Sequence, residues 1–277
     1  MSMEGLENPT LISEGPEPMS YVRPRAPLIL IHDGGGTTFS YHCLEPPMNR
    51  PLYGVANAHF DDGGWWKGGI SEMAAHYIGL ISEALPEGGN IILGGWSLGG
   101  ALSLEMAHQI ATQPSGDGSA DRRPRFNVLG MVWVDTQCPR PASEVPALAD
   151  KHLPAEVVQK PRAELDGLKL IDKVGLNMLN ARIMLQTWEK PAFREAPVPP
   201  TIMLRARDRY AEDPSSTFVD HQRGNRLLGW EAYSAEHDNF LREVIDVDGH
   251  HFSVFEEQNI TAISAKINAA VDTFDCL

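Results

Sequence analysis

The segment Gly94-Gly95-Trp96-Ser97-Leu98-Gly99-Gly100 constrains this chain more than any other. It follows the apolar run NIILGG (90–95) and leads into residues 101–110, whose apolar spacing is helical. A G-x-S-x-G between a buried strand and a helix puts the serine on a sharp turn, with its hydroxyl clear of the sheet edge. The flanking glycines let such a turn pack without side-chain clashes. The helix N-terminus favours negative charge nearby, and the N–H of Leu98 can point at a developing oxyanion. The pattern therefore predicts Ser97 as a nucleophile.

The rest of the chain supplies a sheet for that turn. PLILIH (27–32), LYGVAN (52–57), VLGMVWVD (128–135), TIMLRA (201–206) and EVIDV (243–247) read as further short strands. Residues 70–85, with Ile70, Met73, Ala74, Tyr77, Ile78, Ile81 and Leu85 at helical spacing, form an amphipathic helix, and a helix over about 256–270 closes the chain. Strands alternating with helices argue for an α/β fold: a mostly parallel central sheet with helices on both faces. Residues 1–25, rich in Pro, Glu and Ser, read as a flexible lead-in to one domain over 26–277. QPSGDGSADRRPRF (113–126) reads as a surface loop. Residues 140–190 interrupt the alternation, and Leu168, Ile171, Val174, Met178, Ala181, Met184 and Trp188 make an apolar helical stripe there. This segment is expected to be a lid over the carboxyl edge of the sheet, with its stripe facing the reacting group.

A serine nucleophile needs a base, an acid and oxyanion donors. On this kind of sheet they come in the order Ser, acid, His. Asp248-Gly249-His250-His251-Phe252 follows the last strand, so one of its two histidines is the expected base. His42, His59, His76, His108, His152, His221 and His237 lie elsewhere in the order. Two aspartates end strands and compete for the acid: Asp135 after MVWV and Asp208 after TIMLRAR. The glycine loop His32-Asp33-Gly34-Gly35-Gly36 follows the first strand, where a second oxyanion donor belongs, and the N–H of Gly34 is the candidate. His32 reads as a strand-end residue.

Composition excludes several classes. A net charge of −14 repels phosphate backbones and anionic lipid, so neither nucleic acid nor membrane is an expected partner. No run of about 18 apolar residues occurs, and the first twenty residues hold no apolar signal core. Cys43, Cys138 and Cys276 form no C-x-x-C pair, which suits a reducing cytoplasm and argues against zinc or a disulfide framework.

His32-Asp33-Gly34-Gly35-Gly36, MAAHYIGLI (73–81), GGWSLGG (94–100), VWVDT (132–136) and GHHFSVF (249–255) together resemble the thioesterase domains that release products from polyketide synthases and nonribosomal peptide synthetases. The matching pieces span about 27–260. The resemblance implies an α/β-hydrolase fold with a helical lid. It implies an acid at Asp135 and a base at His251, directly before the Phe of H-F-S. It also implies an acyl-Ser97 intermediate, resolved by water or by a nucleophile of the substrate itself. Its partner would be an acyl or peptidyl carrier protein presenting the acyl group on phosphopantetheine, with no metal or tightly bound cofactor. Two features of the residues favour Asp135 independently: it follows a fully apolar run, whereas Asp208 sits between Arg207 and Arg209. The family usually has H-P-A-G-G or P-x-G-S-G in the first loop, and Asp33 with its triple glycine departs from that. Arg122, Arg123 and Arg125 are one basic cluster that an acidic carrier would fit. The rival readings are a general carboxylesterase or lipase with the same triad, and a non-catalytic binder on the same scaffold.

Overall fold

The computed structural model describes residues 7–16, 25–112, 125–140, 162–213 and 217–275. Its strands are β1 (Thr10–Ser13), β2 (Leu28–Ile31), β3 (Leu52–Val55), β4 (Gly89–Trp96), β5 (Phe126–Val134), β6 (Thr201–Ala206) and β7 (Leu241–Val247). They form one sheet in the order β1-β3-β2-β4-β5-β6-β7. All neighbours are parallel except β1, which runs antiparallel to β3 at the edge. This edge strand lies within the expected lead-in: Thr10 pairs with Gly54, so part of 1–25 is sheet rather than loose chain. Its four residues carry no clear alternation, which is why the sequence did not announce it.

The helices are α1 (Gly69–Ala84), α2 (Leu98–Thr112), α3 (Arg162–Asp166), α4 (Leu170–Thr187), α5 (Glu231–Glu236) and α6 (Glu257–Phe274). The two-residue period of the strands sorts the core into two layers. Ile29, Ile31, Leu93, Met131 and Trp133 face α1 and α2, meeting Met73, Tyr77, Leu102 and Met106. Their strand neighbours Leu28, Leu30, Ile92, Val132 and Val134 face α6, meeting Ile263, Ile267, Val271 and Phe274. Both faces being covered explains why these strands read as unbroken apolar runs.

Parallel strands bring their carboxyl ends to one edge. The loops after β2, β4, β5 and β7 therefore converge, and they carry Asp33–Gly36, Ser97, Asp135 and His251 respectively. Such an edge is where open α/β sheets hold their ligands.

Of the expected lid, residues 162–190 lie within the described part and 141–161 lie outside it. Helix α4 packs over the glycine loop: a Cβ built on Gly34 would stand 3.8 Å from both Ala181 and Met178. The expected apolar stripe docks in part: Val174, Met178 and Ala181 lie against the glycine loop, and Met178 and Ala181 line a pocket with Ser97 and His251. Ile171 is 71% exposed, and Met184 is buried in the main core. Polar residues fix the helix as well. Lys173 Nζ is 2.6 Å from Asp61 Oδ1, both side chains being buried. Asn177 Nδ2 donates to Phe60 O, and Asn180 Nδ2 donates to Gly63 O. The loop beneath offers backbone carbonyls, so directional bonds add to the packing of Leu176, Ala181 and Met184.

Of the basic cluster, Arg122 and Arg123 lie outside the described residues. Arg125 donates to Ser82 O and Pro86 O. It closes the C-terminal end of α1 instead of standing free for a partner.

Candidate active site

Ser97 occupies a strained turn, with φ at +55°, in the left-handed region that non-glycine residues seldom adopt. It lies directly between β4 and α2, so the helix starts one residue after it rather than at residue 101. The glycines around it are required by contact. A Cβ on Gly95 would lie 2.5 Å from Ile31 O, and one on Gly99 would lie 2.3 Å from the same atom. The G-x-S-x-G spacing thus records how closely the turn presses on β2.

Asp135 ends β5 with φ at +47° and is fully buried. Its carboxylate accepts four hydrogen bonds. Oδ1 accepts from the Ala206 N–H at 2.8 Å and from Arg223 Nη1 at 2.5 Å. Oδ2 accepts from Arg223 Nη2 at 2.7 Å and is bonded to His251 Nδ1 at 2.7 Å. Burial alone would raise this carboxyl. The bonds from Arg223 and His251 outweigh burial and hold it at about 2. Being ionised, it only accepts, so the proton of the shared bond resides on His251 Nδ1 and Nε2 is left as the basic nitrogen.

Ser97 and His251 line one pocket of about 650 Å³, counting its open mouth. Their side chains are not hydrogen-bonded to each other. Catalytic hydrogen bonds commonly tighten only when substrate is bound. A smaller pocket beside it is lined by Ser97, Leu98, Gly34 and His251. Around Gly34 the loop bonds to itself: Gly36 N–H donates to Asp33 O, and Gly35 N–H to Asp33 Oδ1. The Gly34 N–H donates to nothing among the described residues.

The other candidates fall elsewhere. His250 packs its ring on Tyr210, 5.2 Å between centroids, and its Nδ1 accepts from the Phe252 N–H. Asp208 is exposed, and its N–H donates to Gly249 O. His32 is buried and bonded to Asp33 O and to the Tyr77 hydroxyl; burial drives it down to about 4 against the opposing pull of that carbonyl. It is neutral and holds the glycine loop. His221, placed outside the site by chain order, lines the pocket that Ser97 and His251 share.

Sequence reasoning missed Arg223 and the state of Asp33. Arg223 lies on an irregular stretch between β6 and β7, 88 residues from Asp135, and no local pattern marks it. Asp33 is buried against the glycine loop. Burial pushes its carboxyl up to about 6, against the opposing pulls of His251 and of backbone N–H groups, including that of Gly35.

A carboxyl that ionises at about 6 when folded but near 3.8 when unfolded penalises the fold as pH rises through that window. Above it the penalty stays constant, at most about 3 kcal/mol. Asp33→Asn removes the charge. It is expected to stabilise the protein at pH 8 by up to that amount relative to its effect at pH 3, read from urea denaturation at the two pH values. An effect of equal size at both would contradict a strained buried carboxylate.

The model of the thioesterase domain family matches residues 26–271. The chain belongs to the thioesterase domain family. Among thioesterase relatives, "Thioesterase frbE" of Dothideomycetidae sp. (strain 11243) is 38% identical, over 98% of this chain and 97% of its own length. The nonribosomal peptide synthetase imqB of Aspergillus flavus is 29% identical over 95% of this chain, which spans only 8% of that protein. Among solved structures, the NocB thioesterase domain from the nocardicin cluster superimposes with a TM-score of 0.57 at 23% identity. The match covers 89% of this chain and 94% of that one, and it shows the shared α/β-hydrolase fold. This thioesterase thus resembles both free-standing thioesterases and a segment of a synthetase.

Proposed function

We propose that this thioesterase releases an acyl chain, polyketide or peptidyl, from the phosphopantetheine thioester of a carrier protein through an acyl-Ser97 intermediate. The observation that carries the reading is His251, hydrogen-bonded to the buried Asp135, lining one pocket with a serine on a left-handed strand-to-helix turn. Ser97 Oγ attacks the thioester carbonyl carbon while His251 Nε2 takes its proton. The N–H groups of Leu98 and Gly34 receive the oxyanion; losing one such donor typically costs about 3–4 kcal/mol of barrier. Collapse breaks the C–S bond, and the departing sulfur takes the proton from His251. Water, or a hydroxyl, amine or carbanion of the chain itself, then attacks the ester carbonyl, and the proton returns to Ser97 through His251. Asp135 holds the imidazole in the required tautomer and stabilises its charged form.

Matched acyl thioesters and oxyesters test the substrate assignment. The thioester is expected to have the larger kcat/KM after correction for its faster spontaneous hydrolysis. A corrected preference for the oxyester would favour the carboxylesterase reading.

A further inference from the structure

The pocket that Ser97 and His251 share has a charge pattern at odds with the rest of the molecule. The chain carries −14, yet the lining beside Ser97 includes Arg140, Arg182 and His221 and, among the described residues, no aspartate or glutamate. Arg182 reaches in from α4 with its guanidinium 4.6 Å above the centroid of the Phe218 ring. Among the described residues it has no ion pair, and neither has Arg140, whose guanidinium meets the neutral amide of Gln222. Gln137, also on the lining, has both side-chain polar atoms buried without a hydrogen-bond partner. Two half-buried guanidinium groups without an acidic partner among the described residues, and an unpartnered amide, make this cavity a site complementary to an anion. Guanidinium is the group best matched to the planar fork of a carboxylate.

We propose that the acyl group carried to Ser97 bears a carboxylate remote from the thioester carbonyl, and that Arg182, with Arg140 and Gln137, recognises it. This rests on the thioesterase reading above and narrows its substrate class to ω-carboxyacyl thioesters. The phosphate of the pantetheine arm offers similar chemistry. It is separated from the sulfur by two amide units, however, whereas Arg182 lines the same cavity as the nucleophile. The carboxylate is therefore the group within its reach.

The test uses N-acetylcysteamine monothioesters of linear dicarboxylic acids of graded length, each paired with its ω-methyl ester. These probes contain no phosphate. The readout is the ratio of kcat/KM for acid over methyl ester, which is insensitive to the fraction of protein correctly folded. In the native protein the best chain length is expected to favour the acid by about 10- to 100-fold, the range of a charge-assisted hydrogen bond in a partly desolvated site. Arg182→Gln should bring the ratio close to one, Arg182→Lys should keep part of it, and Arg182→Glu should shift preference to an ω-amino acyl thioester. A native ratio near or below one at every length overturns the proposal while leaving the reaction intact. A ratio unchanged in both Arg182→Gln and Arg182→Glu overturns it too. So does an Arg182→Gln loss seen only when the same acyl groups are presented on phosphopantetheine, which would assign the arginine to the arm. Absence of Ser97-dependent hydrolysis of either thioester would instead contradict the reaction itself.

Discussion

Ser97→Ala is expected to lower turnover of an acyl thioester by several powers of ten and to leave the fold unchanged. The hydroxyl is the only atom removed, and among the described residues it supports no hydrogen bond whose loss would loosen the turn. Alanine at a φ of +55° is strained much as serine is, so the stability change should stay small. Removing a member of a triad that acts as a unit costs about as much as removing all of it, roughly 10⁶-fold in one well-measured serine protease. Steady-state kinetics with Ser97→Ala, beside urea denaturation of both proteins, reads the two effects separately. Ordinary turnover by a folded Ser97→Ala protein would remove the mechanism.

Asp135→Asn is expected to cost about 10⁴-fold in kcat, the loss known when an amide replaces the triad carboxylate and selects the wrong imidazole tautomer. Asp208→Asn, on the exposed bend after β6, should leave turnover within a small factor of the native value. The Asp135 change carries a second expected signature. Arg223 is buried and bonds both carboxylate oxygens, so the amide leaves a guanidinium without its counter-charge. Breaking a buried pair from one side costs about 3–5 kcal/mol. The variant should therefore be less stable as well as slow, and its kinetics are best measured well below its Tm. A pH series separates the effects. The Asp135 carboxyl ionises at about 2 when folded and near 3.8 unfolded. Its contribution is thus fully present above about pH 4 and is lost as pH falls toward 2. Native protein should lose this part of its stability in acid, and Asp135→Asn should not. His251→Ala belongs with the slow variants and His250→Ala does not, because only His251 reaches Asp135. If Asp208→Asn were slow and Asp135→Asn were not, the acid would be misassigned.

What the sequence made legible is tied to local rules. The elbow at Ser97 was readable because only glycine fits at residues 95 and 99, where a Cβ would strike Ile31 O, and the strand and helix around it had strong periodicity. Strand order placed the acid and base candidates at the carboxyl edge, and the thioesterase resemblance chose Asp135 and His251 among them. Arg223 was invisible because the contact it makes is long-range and comes from a stretch with neither helix nor strand pattern. Helix α4 was legible as a helix, and Met178 and Ala181 of its stripe line a pocket with Ser97 as expected, but its polar anchors were not legible. Apolar spacing normally marks the buried face, and here Lys173, Asn177 and Asn180 are buried by bonding to Asp61 and to loop carbonyls. Strand β1 was missed because an edge strand of four half-exposed residues needs no apolar alternation.

The central claim is that Ser97 becomes acylated by a thioester. Rapid quenching of the native protein with a slowly released acyl thioester, followed by mass spectrometry of the proteolytic peptide containing Gly95-Trp96-Ser97-Leu98-Gly99, measures this directly. The expected result is that peptide carrying the mass of the acyl group on Ser97, appearing and decaying at rates that account for kcat, and absent from Ser97→Ala. Turnover of the thioester at the full rate with that peptide unmodified throughout would contradict it.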